Sequence, residues 1–229
     1  MNWDDTGYLI SKNKYNENSV IADFFTEKHG KCSGIIFGAT SKKTKNYLQI
    51  GNKFHLNYNY KDEGKIGYFK LEIYKVFTPL YFDSKKKLLC IASAMNLIKV
   101  LTVDLQENDK IFKLIDKFYY ILENENWIKN YIFWELELFK LLGYDLEFKD
   151  LVERKMVDDQ LQYVSKSSID KKIVPNFLID KSINVEDLKT LLSGLKLIGD
   201  YLDKTILKPN NLTHPISRLQ FINSLRQLS

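Results

Sequence analysis

Lys28, Lys31, Lys42, Lys43, Lys45 and Lys53 fall in a stretch, from residue 28 to residue 61, that contains no Asp or Glu. Ammonium groups without carboxylates among them suit the neutralisation of a polyanion such as a phosphate backbone, with release of its counterions. Within the segment GATSKKTKNYLQIGNKF, residues 38–54, Lys42, Lys43 and Lys45 lie between Gly38 and Gly51 and are read as a loop. Tyr47, Tyr58 and Tyr60 could stack on bases. The bland alternatives are a barrel core for Tyr58 and Tyr60, and a solvated face for the lysine loop.

Groups suited to catalysis are sparser. His29, His55 and His214 fall in no nucleophile or metal-ligand spacing and are read as structural. Glu135 and Glu137, two apart on an expected helix, point to different faces and make poor partners for a shared metal or proton. Asp158 and Asp159 sit in a polar stretch and are expected to face solvent. There is no GxxxxGK[ST] phosphate loop, and GLKLIG from Gly194 lies inside a helical pattern that no strand feeds.

The first 80 residues must position the lysines, and they read as strands separated by turns. TGYLIS, SVIADFFT, CSGIIFG, NKFHLNYNY and YFKLEIYKVF are the five candidates. In the fourth, Phe54, Leu56, Tyr58 and Tyr60 alternate with Lys53, His55, Asn57 and Asn59, the period of a strand with one buried face. Five short strands without a long helical pattern fit a small closed barrel of the OB-fold type. From residue 81 the pattern turns helical. KKKLLCIASAMNLIKVLTVDL is apolar on nearly all sides, as at the centre of a bundle. DKIFKLIDKFYYILEN and NWIKNYIFWELELFKLLG follow, the latter ending at Gly143. Residues 144–183 read as polar and irregular. NVEDLKTLLSGLKLIGDYLDKTIL is an amphipathic helix with Asn184 as its expected cap, and a last helix starts near Thr213 with Pro215 in its first turn. The expected class is α+β, an OB-fold barrel over residues 1–80 and an all-α domain over 81–229.

Net charge is +5 over 229 residues. Residues 1–80 carry twelve lysines against eight acids, so most of the excess sits in the expected barrel. Cys32 and Cys90 form no CxxC pair and imply neither a disulfide framework nor a thiolate metal site. LLCIASAMNLI is about half the length that spans a bilayer, and MNWDDTGYLI has two acids where a secretory signal carries positive charge. The expectation is a cytoplasmic, nucleoid-associated protein with no membrane partner.

FFTEKHG at 24–30, GATSKK at 38–43, Gly7 and Glu17 resemble the N-terminus of the RecO family of bacterial recombination mediators. LQIGN at 48–52 resembles its Leu-Gln-Pro-Gly turn with Ile50 in place of proline, and FWELELFKLLGYDLEF, YVSKSSID and HPISR resemble later segments. The resemblance implies an N-terminal OB-fold and a helical domain that bind single- and double-stranded DNA and anneal complementary strands. It further implies work with RecR, and with the acidic tail of single-strand-binding protein, to load the RecA recombinase. Carried onto this chain, the DNA-binding positions are Lys12, Lys14, Lys28, Lys31, Lys42, Lys43, Lys45 and Lys53. Family members often have arginine at Lys42 or Lys43, so here charge is kept and the forked donor geometry lost. Many also carry a four-cysteine zinc knuckle where this chain has LVERKMVDDQLQYVSKSSIDKK, without Cys or His. No metal and no cofactor are therefore expected, and packing by Leu151, Val152, Met156, Leu161 and Tyr163 is expected to hold the insert. The leading reading is a non-enzymatic DNA-binding mediator. Its rivals are a protein-interaction adaptor whose barrel does not touch DNA and an OB-fold nuclease or ligase accessory.

Overall fold

The structure is a computed structural model that describes residues 2–60, 65–146, 148–157, 160–166, 173–185 and 187–227. Five strands, β1 (Trp3–Lys14), β2 (Ser19–Thr26), β3 (Gly30–Phe37), β4 (Lys53–Asn59) and β5 (Tyr68–Lys75), close into a barrel in the order β1-β2-β3-β5-β4. All neighbours are antiparallel except β3 and β5, which meet in parallel at Ile35 and Tyr68. The pairing that leaves β1 at Trp3 passes through Tyr58 and Phe69, crosses from Tyr68 to Ile35 and Ile21, and returns to β1 at Asn13. That stagger lets a twisted sheet of five strands close on itself. The expected OB-fold is present.

Leu9, Phe24, Ile36, Phe54, Leu56 and Phe69 fill the barrel. A short helix, α1 (Lys42–Tyr47), bridges β3 and β4, and Ala39 and Leu48 on its two flanks are buried in the same core. The residues expected to form a loop are therefore helical. Ser41 caps them, its hydroxyl accepting from the Thr44 backbone N–H at 3.2 Å.

The chain divides into two compact units, Met1–Tyr119 with Pro215–Phe221, and Tyr120–His214 with Ile222–Ser229. In the first unit α2 (Lys85–Leu101) lies on β1 and β2, and α3 (Asp109–Glu123) begins there. This backing explains why the in–out rhythm fails in β1, where Gly7 to Ser11 are all buried. Leu9 points into the barrel, while the Tyr8 ring lies 5.6 Å from Phe112 and 6.1 Å from Phe77. The LQIGN turn seals the seam. Gly51 has φ +95°, and a Cβ there would stand 2.6 Å from the Tyr119 hydroxyl, which donates to the Gly51 carbonyl. Asn52, fully buried, accepts from the Phe77 and Thr78 backbone N–H groups at 2.9 and 3.0 Å.

The second unit contains α4 (Trp127–Leu141), α5 (Phe148–Leu151), a sheet of β6 (Val152–Val157), β7 (Gln160–Ser165) and β8 (Ile173–Val174), α6 (Asn176–Ile179) and α7 (Leu188–Tyr201). The last helix, α8 (Ile216–Arg226), starts directly after Pro215. Gly143, φ +88°, stops α4: Tyr144 donates to the Phe139 carbonyl at 2.9 Å and Gly143 to Lys140 at 3.0 Å. Glu135 is buried and Glu137 exposed, the divergence their spacing requires. The cap of α7 is Asp187 and not Asn184. Its carboxylate accepts from the Thr190 hydroxyl at 2.8 Å and from the Lys189 and Thr190 N–H groups at 3.0 and 2.9 Å, and these bonds, the hydroxyl first, hold it below the usual carboxylate range.

The stretch expected to be irregular instead pairs as a hairpin, from Val152 opposite Ser165 to Val157 opposite Gln160. Its strands escape a period-two reading because, among their described side chains, only Val152 and Val164 are buried. Met156 is exposed, and the half-buried Tyr163 accepts from Arg154 at 3.1 Å. Asp158, Asp159 and the side chains of Leu151 and Leu161 lie outside the described residues.

Candidate nucleic-acid interface

The eight lysines separate into two populations. Lys12 reaches from β1 to the Leu48 carbonyl at the end of α1. Burial first, and then repulsion from Lys45, push its ammonium below the ordinary value. Cations from sequence positions 12 and 45 thus share one local field. Lys14 lies two residues further along β1 and is exposed, as are Lys42, Lys43 and Lys45 on α1. Among the described residues no carboxylate lies within ion-pair distance of these four. Asn18 ties the two segments together, its carbonyl accepting from the Ala39 N–H at 3.0 Å.

Lys31, Lys53 and Lys28 are placed differently. Lys31 Nζ donates to the Lys99 and Thr102 carbonyls at 2.8 and 2.6 Å and stands 3.2 Å from Asp104. It closes the C-terminus of α2, where unpaired carbonyls favour a cation. Lys53, its side chain 11% exposed, stands 2.9 Å from Asp116 of α3 and 4.7 Å from the Phe112 ring centre. Lys28 is exposed beside Asp4, Asp5, Glu27 and Glu72 around an open depression of about 610 Å³. Its backbone N–H donates to Asp5 at 2.9 Å, nine residues along β1 from Lys14, up to roughly 30 Å of extended chain. Acids absent from the lysine stretch itself arrive from elsewhere in the chain.

The aromatics also divide. Tyr58 stacks on Trp3 at 4.8 Å and packs against the barrel core, and its hydroxyl accepts from the Gly67 N–H at 3.1 Å. Tyr47 packs against Phe54 at 6.2 Å, and Tyr60 is half-buried. The exposed rings near the free lysines are others: Phe37 is 62% and Tyr15 54% exposed. Phe37 ends a buried β-run and looks like core in sequence, whereas Tyr15, between Lys14 and Asn16, has a readable polar context.

His29 Nδ1 donates to the Asp5 carboxylate at 2.8 Å, and its ring stacks on Trp3 at 4.1 Å. Burial pushes the Cys32 thiol up to about 12. Among the described residues no group of three or more His, Cys, Asp or Glu is arranged to hold a metal ion, and no helix is long and apolar enough to cross a membrane.

Residues 1–77 match the family described as Recombination protein O N terminal, and residues 84–172 match Recombination protein O C terminal. The chain belongs to the RecO family. It is 23% identical to the DNA repair protein RecO of Rhodospirillum centenum, over 99% of this chain and 96% of that protein. It is 26% identical to the RecO of Ehrlichia chaffeensis, over 100% and 87%, and 32% identical to that of Rickettsia rickettsii, over 73% and 70%. The zinc knuckle implied by the RecO resemblance does not fit the residues present, since residues 144–183 hold no Cys or His. In this RecO-family chain the β6–β7 hairpin occupies that segment.

Proposed function

We propose that the chain is a non-enzymatic DNA-binding protein of recombinational repair, in which Lys14, Lys42, Lys43 and Lys45 contact phosphates and Lys12 supports them. It binds single and double strands, screens two phosphate backbones so that complementary bases can pair, and helps to load the RecA recombinase. RecR and the acidic tail of single-strand-binding protein are its partners in that work. The single observation that carries this reading is the meeting of β1 and α1. There Lys12 feels the charge of Lys45, and the neighbouring lysines pair with no carboxylate among the described residues. Cations so placed gain most from a polyanion, because no ion pair has to be broken first. Membership of the RecO family supports the same conclusion.

The test is fluorescence anisotropy with labelled single strands and duplexes across a salt series, alongside an annealing assay. The expected result is binding that falls steeply as salt rises, with a slope set by the few phosphates contacted. Absence of binding at low salt overturns the reading in favour of a protein-interaction adaptor. A titration with the acidic tail peptide of single-strand-binding protein tests the partner separately.

A further inference from the structure

Phe37 is the last residue of β3, 62% exposed, directly after the buried Ile35 and Ile36. Strand alternation turns it away from Ile36 and the barrel core. It does not stand alone. The Tyr68 ring lies 5.8 Å away, tilted by 55°, and Ile66, two residues earlier, is 45% exposed. Across the sheet, Phe37 pairs with Ser19, whose carbonyl accepts from the Tyr15 N–H at 3.0 Å. Tyr15 and Phe37 therefore occupy one rung, two strand spacings or roughly 10 Å apart.

Lysine segments adjoin this aromatic row along the chain. Lys14 precedes Tyr15, and Gly38 to Ser41 lead from Phe37 into α1 with Lys42, Lys43 and Lys45. Glu17 is the one acid of the segment joining β1 and β2. Single exposed apolar residues are ordinary on protein surfaces, but exposed rings grouped beside lysines that form no ion pair among the described residues are not. A duplex offers such a surface phosphates only, since its base faces are stacked inside. A single strand offers phosphates and π-faces together.

We propose that Phe37, flanked by Tyr68 and Tyr15, is a stacking platform for unpaired bases and makes the lysine site discriminate single strands from duplex. The inference rests on the DNA-binding reading and adds the substrate form that the site selects. Lysines supply affinity common to both forms; the aromatic row supplies the increment only a single strand can collect.

The experiment uses the full chain with a labelled oligothymidylate, an abasic oligomer of equal length and a matched duplex, read by anisotropy at fixed salt. Phe37→Ala is expected to weaken oligothymidylate binding roughly tenfold, in the range measured for loss of one base stack. Duplex affinity and the salt slope stay unchanged, and Phe37→Tyr restores binding. Wild-type protein binds the abasic oligomer as weakly as Phe37→Ala binds oligothymidylate. In Phe37→Trp, emission above the wild-type background is quenched by oligothymidylate and by neither other probe, which keeps the test open should the alanine variant fold poorly. Equal losses on duplex and single strand, full retention of oligothymidylate affinity by Phe37→Ala, or tight abasic binding each overturn the platform. Wild-type protein that binds no DNA at all overturns the underlying DNA reading instead.

Discussion

Lys43 and Lys53 come from the same acid-free stretch of sequence and end in opposite circumstances. Lys43 stands on α1 among other cations and outside any ion pair of the described residues, whereas Lys53 is folded under α3 against Asp116 and the rings of Tyr8, Phe112 and Tyr74. The first can take a phosphate without losing a partner. The second already has its anion, and the Tyr8 hydroxyl donates to that same carboxylate. Equal formal charge thus divides into a surface open to ligand and a bolt inside the unit.

The sharpest way to break this contrast is charge reversal on the bolt. Lys53→Glu places a second carboxylate beside Asp116 and is expected to cost about 3 kcal/mol of stability, since it leaves like charges partly buried. Urea unfolding measures it, and a variant as stable as wild type would remove the distinction. The matching reversal on α1, Lys42→Glu with Lys43→Glu, is expected to leave the unfolding midpoint in place and weaken DNA binding by about 2 kcal/mol. The slope of log affinity against log salt should fall by about 2 in the same titration, one for each lost phosphate contact. Lys31→Met frees the last carbonyls of α2 and is expected to lower stability by about 1 kcal/mol, with DNA affinity unchanged. Lys28→Glu, at the acidic end of β1, should leave DNA affinity unchanged; a loss of DNA binding there would extend the interface beyond the α1 end.

The smallest expected effect is in acid. Burial acts to raise the Asp23 carboxyl, but hydrogen bonds from Ser33, Lys99 and Ser11, with the Lys99 charge, outweigh it and hold the group below its ordinary 3.8. A folded value below the unfolded one contributes stability above pH 3.8 that is lost as pH falls through the lower folded value. Asp23→Asn should therefore flatten the acid limb of a stability profile between those two points and leave DNA binding untouched.

Much of the fold is legible in residue order. The alternation of Phe54, Leu56, Tyr58 and Tyr60 marks β4, and Gly143 marks the end of α4, because each pattern reports a local backbone requirement. The α1 helix escapes such a reading, since six residues carry too little periodicity to register and Ser41 as cap resembles any loop serine. Asn184 and Asp187 satisfy the same capping rule for α7, and only backbone geometry selects the aspartate. Phe37 is equally hidden, because an aromatic ending an apolar run has no signature separating core from surface.

Residue type and spacing alone determined the barrel, the helical character of much of the remainder, the concentration of positive charge in the first third and the family to which the chain belongs. Folding decided which lysines remain available. Electrostatic partnership acts through space, and Asp104 and Asp116, which complete the settings of Lys31 and Lys53, lie far along the chain from them. No local pattern can announce a neighbour that arrives only when the backing helices close against β1.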